Sequence, residues 1–145
     1  MKILEFSNNG SIDSLTHAPA PAVFHANLSQ AHAAALREKR AISILSLKAL
    51  PSNSVTEVQL IETAKKIQQH LRHGEFFSRV SEDGYWIAVW GDSTAAHNLG
   101  KRILAESKSY SQNKDLWRAR VIEFSDEGSL NEWIQACDLR HFGTL

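Results

Sequence analysis

The fold is decided by residues 72–92, which read RHGEFFSRVSEDGYWIAVWGD. Two β-rich runs, Glu75–Val80 and Tyr85–Trp90, are separated by four polar or small residues, which is the length and composition of a hairpin turn. Both faces of the second run are apolar, as expected of a strand that helices cover on each side. Just before the hairpin, Arg72 and Glu75 form an Arg-x-x-acid pair. The stretch therefore predicts a β-hairpin whose first strand follows a charged turn.

Alternating helices and strands surround this hairpin. Helical periodicity and capping signals favour helices, whereas β-rich runs favour strands. The predicted strands are Ile3–Phe6, Ala41–Leu47 and Leu116–Phe124, and the predicted helices run from Ala22 to Lys39, from the Ser54–Glu57 capping box to about His73, from Thr94 to Ser107, and from the Ser129–Glu132 capping box to about Leu139. Gly74 is expected to end the second helix in the left-handed conformation, and residues 108–115 to form a polar loop. This order predicts an α+β fold, with a central mixed, largely antiparallel sheet flanked by helices.

Composition bounds the class of protein without giving its function. The 145 residues are expected to form one domain over residues 1–145. With 16 basic and 16 acidic residues, the chain has no global field that would attract nucleic acid or an anionic membrane. The apolar runs are of strand length, residues 1–20 lack a signal-peptide layout, and Cys137 is the single cysteine. We therefore expect a cytoplasmic protein with no nucleic-acid partner and no membrane insertion.

The hairpin resembles the centre of a GGDEF domain, the bacterial signalling module that condenses two GTP molecules into cyclic di-GMP. That family has an Arg-x-x-Asp pair five residues before a Gly-Gly-Asp/Glu-Glu-Phe turn. Here Arg72 and Glu75 match the pair, and Ser81–Tyr85 stands at the turn with only Asp83 and the aromatic Tyr85 retained. Other stretches match in order: Asp13–Thr16 is similar to the opening Asp-x-Leu-Thr signature, AISILSL to the first metal-binding strand, and Cys137–Phe142 to the closing helix. The resemblance covers nearly the whole chain and implies a sheet like that of nucleotide cyclase and polymerase palms.

The same resemblance implies that catalysis has been lost. Joining two nucleoside triphosphates needs metal ions, which prefer several oxygen ligands. Ser46 and Lys48 stand where the family places metal-binding acids on its first strand, and Pro51–Val55 spans a shortened segment that lacks the guanine-holding residues. We therefore predict a degenerate domain that is not an enzyme, with no catalytic residues, no metal and no cofactor. The bare alternative for Ser81–Tyr85 is an ordinary β-turn.

A product-binding site is the function that the resemblance leaves open. In the family, the Arg-x-x-Asp pair and a further arginine on the helix after the hairpin bind cyclic di-GMP. Arg72, Glu75 and Arg102 match these positions, and a guanidinium fork with a carboxylate suits the edges of guanine. We therefore predict a cyclic di-GMP receptor that acts through a separate effector protein and could form a homodimer. The alternative is an interaction scaffold that binds no nucleotide, in which Arg72 and Glu75 form only a solvated ion pair.

Other residues give weaker signals. The seven histidines form no metal-ligand pattern, and His141 is one of five that are scattered along the chain. Cys137 has no recognisable histidine partner, so it is predicted to be a buried residue and not a nucleophile. Trp86 and Trp90 share one strand face, which is predicted to pack in the core; left uncovered, it would be a partner-binding patch.

Overall fold

The computed structural model describes residues 4–50, 55–107, 116–125 and 128–142. Its helices and strands follow one another along the chain as α1 (Pro21–Glu38), β1 (Ile42–Ala49), α2 (Glu57–His70), β2 (Phe76–Ser81), β3 (Gly84–Trp90), α3 (Ser93–Ser107), β4 (Trp117–Glu123) and α4 (Leu130–Phe142). The predicted loop at 108–115 and most of the shortened segment at 51–55 lie outside the described residues. The predicted hairpin, helices and later strands are confirmed to within a few residues.

The four strands form one sheet in the order β2-β3-β1-β4. Every pairing among them is antiparallel, so the expected α+β class is confirmed, and within the described residues the sheet is antiparallel throughout and not mixed. The register places Ser46 opposite Trp86 on one side and Arg120 on the other. A bulge follows Arg79 in β2, immediately before the turn at the hairpin tip.

Helices cover both faces of this sheet, as the apolar pattern of β3 predicts. On one face α2 and α3 pack against the core side chains that include Leu45, Tyr85 and Ile87. On the other face α1 and α4 pack against a second cluster that includes Ile44 and Trp86. Alternate side chains of β3 therefore belong to two separate cores, because successive side chains of a strand point to opposite faces of the sheet.

Two predicted local features differ in detail. The capping box of α2 uses Thr56, whose hydroxyl accepts from the backbone N–H of Gln59, while the Gln59 amide oxygen accepts from the N–H of Thr56. Ser54 of the predicted Ser54–Glu57 box lies outside the described residues, and the N-cap that the structure shows is Thr56, two residues later. Gly74 has a φ of 83°, but it lies in a turn closed by the Glu75 N–H bonding to the carbonyl of Arg72, after the helix has already ended.

The predicted strand Ile3–Phe6 is wrong for its described part. Residues 4–6 belong to none of the four strands of the sheet. Leu4 packs on the core beneath α2 and α3, and the ring of Phe6 lies 5.1 Å from the guanidinium carbon of Arg79. The apolar residues of this segment are thus used for packing and not for pairing.

A buried ion pair fastens the opening segment to the hairpin. The Arg79 side chain is 0% exposed and that of Asp13 is 1% exposed, with Arg79 Nη1 3.2 Å from Asp13 Oδ1. Arg79 Nη2 donates to the carbonyl of Glu82 at 2.7 Å, so the same guanidinium also holds the hairpin tip. The second oxygen of Asp13 accepts from both the N–H and the hydroxyl of Thr16. Burial of this charge is tolerated because nearly every polar atom of the pair has a partner.

Candidate nucleotide site at the hairpin base and closed hairpin tip

The structure brings Arg72 and Glu75 together at the base of the hairpin, where α2 ends and β2 begins. Arg72 Nη2 lies 2.9 Å from Glu75 Oε2, and Arg72 Nε lies 3.3 Å from Glu75 Oε1. The backbone N–H of Arg72 also donates to Oε1, and that of Trp90 donates to Oε2, each at 2.9 Å. The Glu75 carboxylate therefore accepts four hydrogen bonds, two from the guanidinium and two from fixed backbone groups.

The two partners differ in exposure. The Glu75 side chain is 1% exposed, whereas that of Arg72 is 63% exposed. The Glu75 carboxylate raises the pKa of Arg72, first by hydrogen bonding and then by its charge. The guanidinium is thus a permanent cation that is anchored at one edge and faces solvent at the other.

Trp90 ties this pair to the end of β3. Arg72 Nη2 donates to the carbonyl of Trp90 at 2.7 Å, and the indole N–H of Trp90 donates to the carbonyl of Gly74 at 3.1 Å. The guanidinium carbon of Arg40, which precedes β1, lies 4.1 Å from the Trp90 ring centroid. No local pattern in the sequence marks Arg40, because its contact with Trp90 joins sequence-distant residues at the paired ends of the neighbouring strands β1 and β3.

Arg102, the third predicted site residue, lies on the exposed side of α3. Within the described part of the chain, no hydrogen bond or ion pair joins Arg102 to Arg72 or Glu75. Its place in the site therefore stays a prediction.

The hairpin tip is closed by a residue from the far end of the chain. His141 Nδ1 lies 2.6 Å from the hydroxyl of Ser46 on β1, and Nε2 lies 2.9 Å from the hydroxyl of Ser81. Ser81 in turn donates to Asp83 at 3.1 Å. A Cβ added to Gly84 would overlap the His141 ring and the Ser81 hydroxyl. The absence of a side chain at position 84 is what admits the ring.

His141 is neutral in this setting. Burial lowers the pKa of His141 to about 3, with further lowering from the positive charges of Lys48 and Arg118. Because Ser81 donates to Asp83, the bonds are satisfied when Nε2 carries the proton and donates to Ser81, and Nδ1 accepts from Ser46. Arg118 also donates to the carbonyls of Arg140 and His141, which fixes the last turn of α4 against the sheet.

Solved structures resemble this chain, although no protein-family model and no curated protein sequence matches it. The GGDEF domain of DgcB from Caulobacter crescentus, in complex with c-di-GMP, superposes with a TM-score of 0.76 at 15% identity, over 97% of this chain and 92% of that chain. A DGC protein from Thermotoga maritima gives 0.70 at 22% identity, over 86% and 95% of the two chains. Diguanylate cyclase SiaD from Pseudomonas aeruginosa, in complex with its activator SiaC, gives 0.72 at 15% identity, over 90% and 56%.

The fold is GGDEF-like. At these identities the likeness concerns the fold alone, so the residues of the tip must be judged by their own chemistry. A magnesium ion would need several oxygen ligands in fixed geometry. The GGDEF-like tip offers instead the hydroxyls of Ser46 and Ser81, both already bonded to a buried neutral imidazole, and one carboxylate at Asp83. Lys48 lies on the same strand face and adds a positive charge to the surroundings. These residues do not fit a metal ion.

The remaining predicted features have clear outcomes in this GGDEF-like fold. Cys137 is 0% exposed, and burial raises the pKa of its thiol, so the prediction of a buried residue is confirmed. Trp86 is 2% exposed beneath α1 and α4, which confirms the core reading for that residue and leaves only Trp90 partly accessible. Within the described residues, no helix is long and apolar enough to cross a bilayer.

Proposed function

We propose that this chain is a catalytically silent GGDEF-like domain that acts as a receptor for cyclic di-GMP through Arg72, Glu75 and Arg102. The observation that carries the proposal is the exposed Arg72 guanidinium held on the Glu75 carboxylate at the base of the hairpin. A DgcB domain of the same fold has been solved in complex with c-di-GMP. The signal would pass in the cytoplasm to a separate effector protein.

Binding would exchange one set of hydrogen bonds for another. The backbone N–H groups of Arg72 and Trp90 hold the Glu75 carboxylate in place, whether or not the Arg72 guanidinium is also bound to it. When the fork swings outward, each carboxylate oxygen gains a free acceptor site for the N1–H and N2–H donors of guanine. The released fork can then donate to O6 and N7 of a guanine, the usual bidentate contact.

The silent character of the domain is supported by the hairpin tip. His141 lies between Ser46 and Ser81, where the resemblance implies a metal and a triphosphate. A side chain that fills the cleft and a missing carboxylate set oppose catalysis independently, so restoring one acid would not restore activity.

Turnover is tested directly. Purified protein is incubated with GTP and Mg²⁺ or Mn²⁺, and the nucleotides are separated by chromatography. We expect no cyclic di-GMP above a control without protein. Product formation by wild-type protein would refute the silent-domain proposal.

Binding is tested by calorimetric titration with cyclic di-GMP in the absence of metal. Cyclic di-AMP should bind far more weakly, because adenine lacks O6 and offers Glu75 no matching N1–H donor. Arg72→Ala should weaken binding by roughly 1–3 kcal/mol, and Glu75→Gln should weaken it by replacing a charged acceptor with a neutral one. Arg37→Ala is the matched control, since Arg37 is 70% exposed on α1 and pairs with its neighbour Glu38.

An interaction scaffold without nucleotide binding is the second candidate. It is favoured by the Glu75 carboxylate, whose four acceptor positions are already filled within the chain. SiaD provides a case in which a diguanylate cyclase is in complex with an activator protein. Absence of binding at high micromolar cyclic di-GMP would favour this candidate, with the Arg72 helix end as the first surface to test in pull-down experiments, both for an effector and for a second copy of the chain.

A further inference from the structure

A shallow groove opens beside the Arg72–Glu75 pair, between helix α1 and the outer strand β2. Its volume is about 450 Å³. Its lining combines aromatic rings with side-chain amides: Asn27, Gln30 and Ala31 of α1, then Gly74, Glu75, Phe76 and Trp90. Asn27 and Gln30 are both exposed, so their amides are accessible from solvent. An apolar site with a few polar groups on its rim is the usual character of a small-molecule pocket.

Trp90 connects this groove to a second arginine. The Arg40 guanidinium lies over the Trp90 ring, and its Nη1 is 3.5 Å from Glu38 Oε1. The Arg40 side chain is still 51% exposed, so the stack leaves donors available to a ligand. Arg40 and Arg72 thus approach the same tryptophan, one through its ring and the other through its backbone carbonyl.

We propose that one guanine of cyclic di-GMP lies in this groove against Trp90, with Asn27 and Gln30 hydrogen-bonding its edge and Arg40 pairing with a phosphate of the same ligand. The inference rests on the proposed function and adds four residues to the site. It commits to a purine nucleotide, because a flat aromatic surface, two amides and two partly exposed guanidinium groups match a base joined to phosphate.

The chemistry of each group supports its part. Any base gains affinity by stacking on an aromatic ring, whereas amide side chains distinguish one base from another by the hydrogen-bond donors and acceptors on its edge. The guanidinium carbon of Arg40 lies 4.1 Å from the Trp90 ring centroid, so a cation is already in place beside the ring before a phosphate arrives. A volume of about 450 Å³ accommodates a base with its sugar, and the proposal assigns the second base to Arg72.

The test compares variants of exposed residues by calorimetric titration with cyclic di-GMP. Asn27→Ala combined with Gln30→Ala should weaken binding about ten-fold, as expected for two hydrogen bonds. Arg40→Ala should weaken it by a similar factor and reduce its dependence on salt, and Arg40→Lys should retain more affinity than Arg40→Ala. Gln135→Ala on α4 and Arg37→Ala on α1 are the matched controls and should bind as wild type does.

Tryptophan emission gives an independent reading of the stack. Cyclic di-GMP should change the emission of wild-type protein, and Trp90→Phe should remove most of that change while leaving measurable binding. Trp117→Phe, in the core under α2 and α3, should leave it intact. If wild type binds and Arg72→Ala weakens binding, but the groove and Arg40 variants bind normally, this inference is overturned and the proposed function stands. If wild type does not bind, both are overturned.

Discussion

Each end of the β2–β3 hairpin carries an arginine–carboxylate pair, but the two pairs differ in their exposure to solvent. At the tip, Arg79 is fully buried against Asp13, and His141 fills the space above Gly84. At the base, Arg72 lies 2.9 Å from Glu75 but keeps most of its surface in solvent. One arginine–carboxylate pair is therefore part of the core, and the other has a guanidinium in contact with solvent.

The difference shows that pairing alone does not decide what an arginine does. A buried charge has no alternative partner, so its contacts become a condition of folding. An exposed guanidinium loses little when it leaves its partner, because water replaces the lost hydrogen bonds. The pair at the tip is thus held in the core, whereas the guanidinium at the base stays accessible to solvent.

The largest effect is expected from breaking the buried pair at the tip. Asp13→Ala would leave the Arg79 cation without its carboxylate in the core, and we expect a loss of about 3–5 kcal/mol in the free energy of unfolding. Urea denaturation followed by circular dichroism measures it. A loss below about 1 kcal/mol would mean that water reaches the tip and that the two ends of the hairpin are alike.

The closed tip should also respond to acid. The pKa of His141 is about 3 in the fold, below the ordinary value of 6.5, so between these values the unfolded chain binds the proton and the folded chain does not. The contribution of neutral His141 to the free energy of unfolding is therefore fully present above pH 6.5. It decreases as the pH falls, by about 2 kcal/mol between pH 7 and pH 5. His141→Gln should remove this part of the pH dependence, whereas the exposed control His97→Gln should keep it. Identical profiles for wild type and His141→Gln would contradict the neutral, buried assignment.

A smaller effect is expected at the base. Arg72→Ala should change the free energy of unfolding by about 1 kcal/mol or less, because the exposed partner is removed and Glu75 keeps its two backbone donors. Urea denaturation of this variant and of Asp13→Ala under the same conditions compares directly what the pair at the base and the pair at the tip contribute to stability. A loss as large as that of Asp13→Ala would show that the base is also a structural element.

The smallest effect is expected from Asp83→Ala. Asp83 is half-buried and accepts one hydrogen bond from Ser81, so its loss should cost about 0.5 kcal/mol and leave cyclic di-GMP affinity unchanged. Thermal unfolding and calorimetric titration of the same sample measure both quantities. Weaker nucleotide binding would move the site from the base to the tip.

The parts of this fold that could be predicted from sequence are those set by local pattern. The alternating run Ala41–Leu47 predicts β1, and a run with two apolar faces, Tyr85–Trp90, predicts β3. A serine or threonine with an acid or amide three residues later predicts the start of α4 at Ser129, where both bonds of the capping box form. The contact of Arg72 with Glu75 is the one that the ion-pair alternative predicts, since the pair spans a single turn, but the burial of Glu75 does not follow from the spacing. The strand prediction is wrong for residues 4–6, because apolar content alone does not distinguish a strand paired in a sheet from a segment that only packs on the core.

Contacts between distant residues could not be predicted in this way. In the sequence His141 is one of five scattered histidines, because its partners Ser46 and Ser81 are 95 and 60 residues away. Arg40 was missed for the same reason. Arg79 did carry a signal that was overlooked: a charged residue in the middle of an apolar strand must find a buried partner, and Asp13 supplies it.

Because Cys137 is buried, thiol labelling can measure how often α4 separates from the sheet. As the single thiol in the chain, it is 0% exposed on the face of α4 that packs against the sheet. An alkylating reagent can therefore modify it only when α4 separates from the sheet, and the labelling rate relative to that of an unfolded peptide reports the free energy of this local opening. The native chain thus contains its own probe of whether ligand binding at the far end of the hairpin tightens the helix that closes the tip.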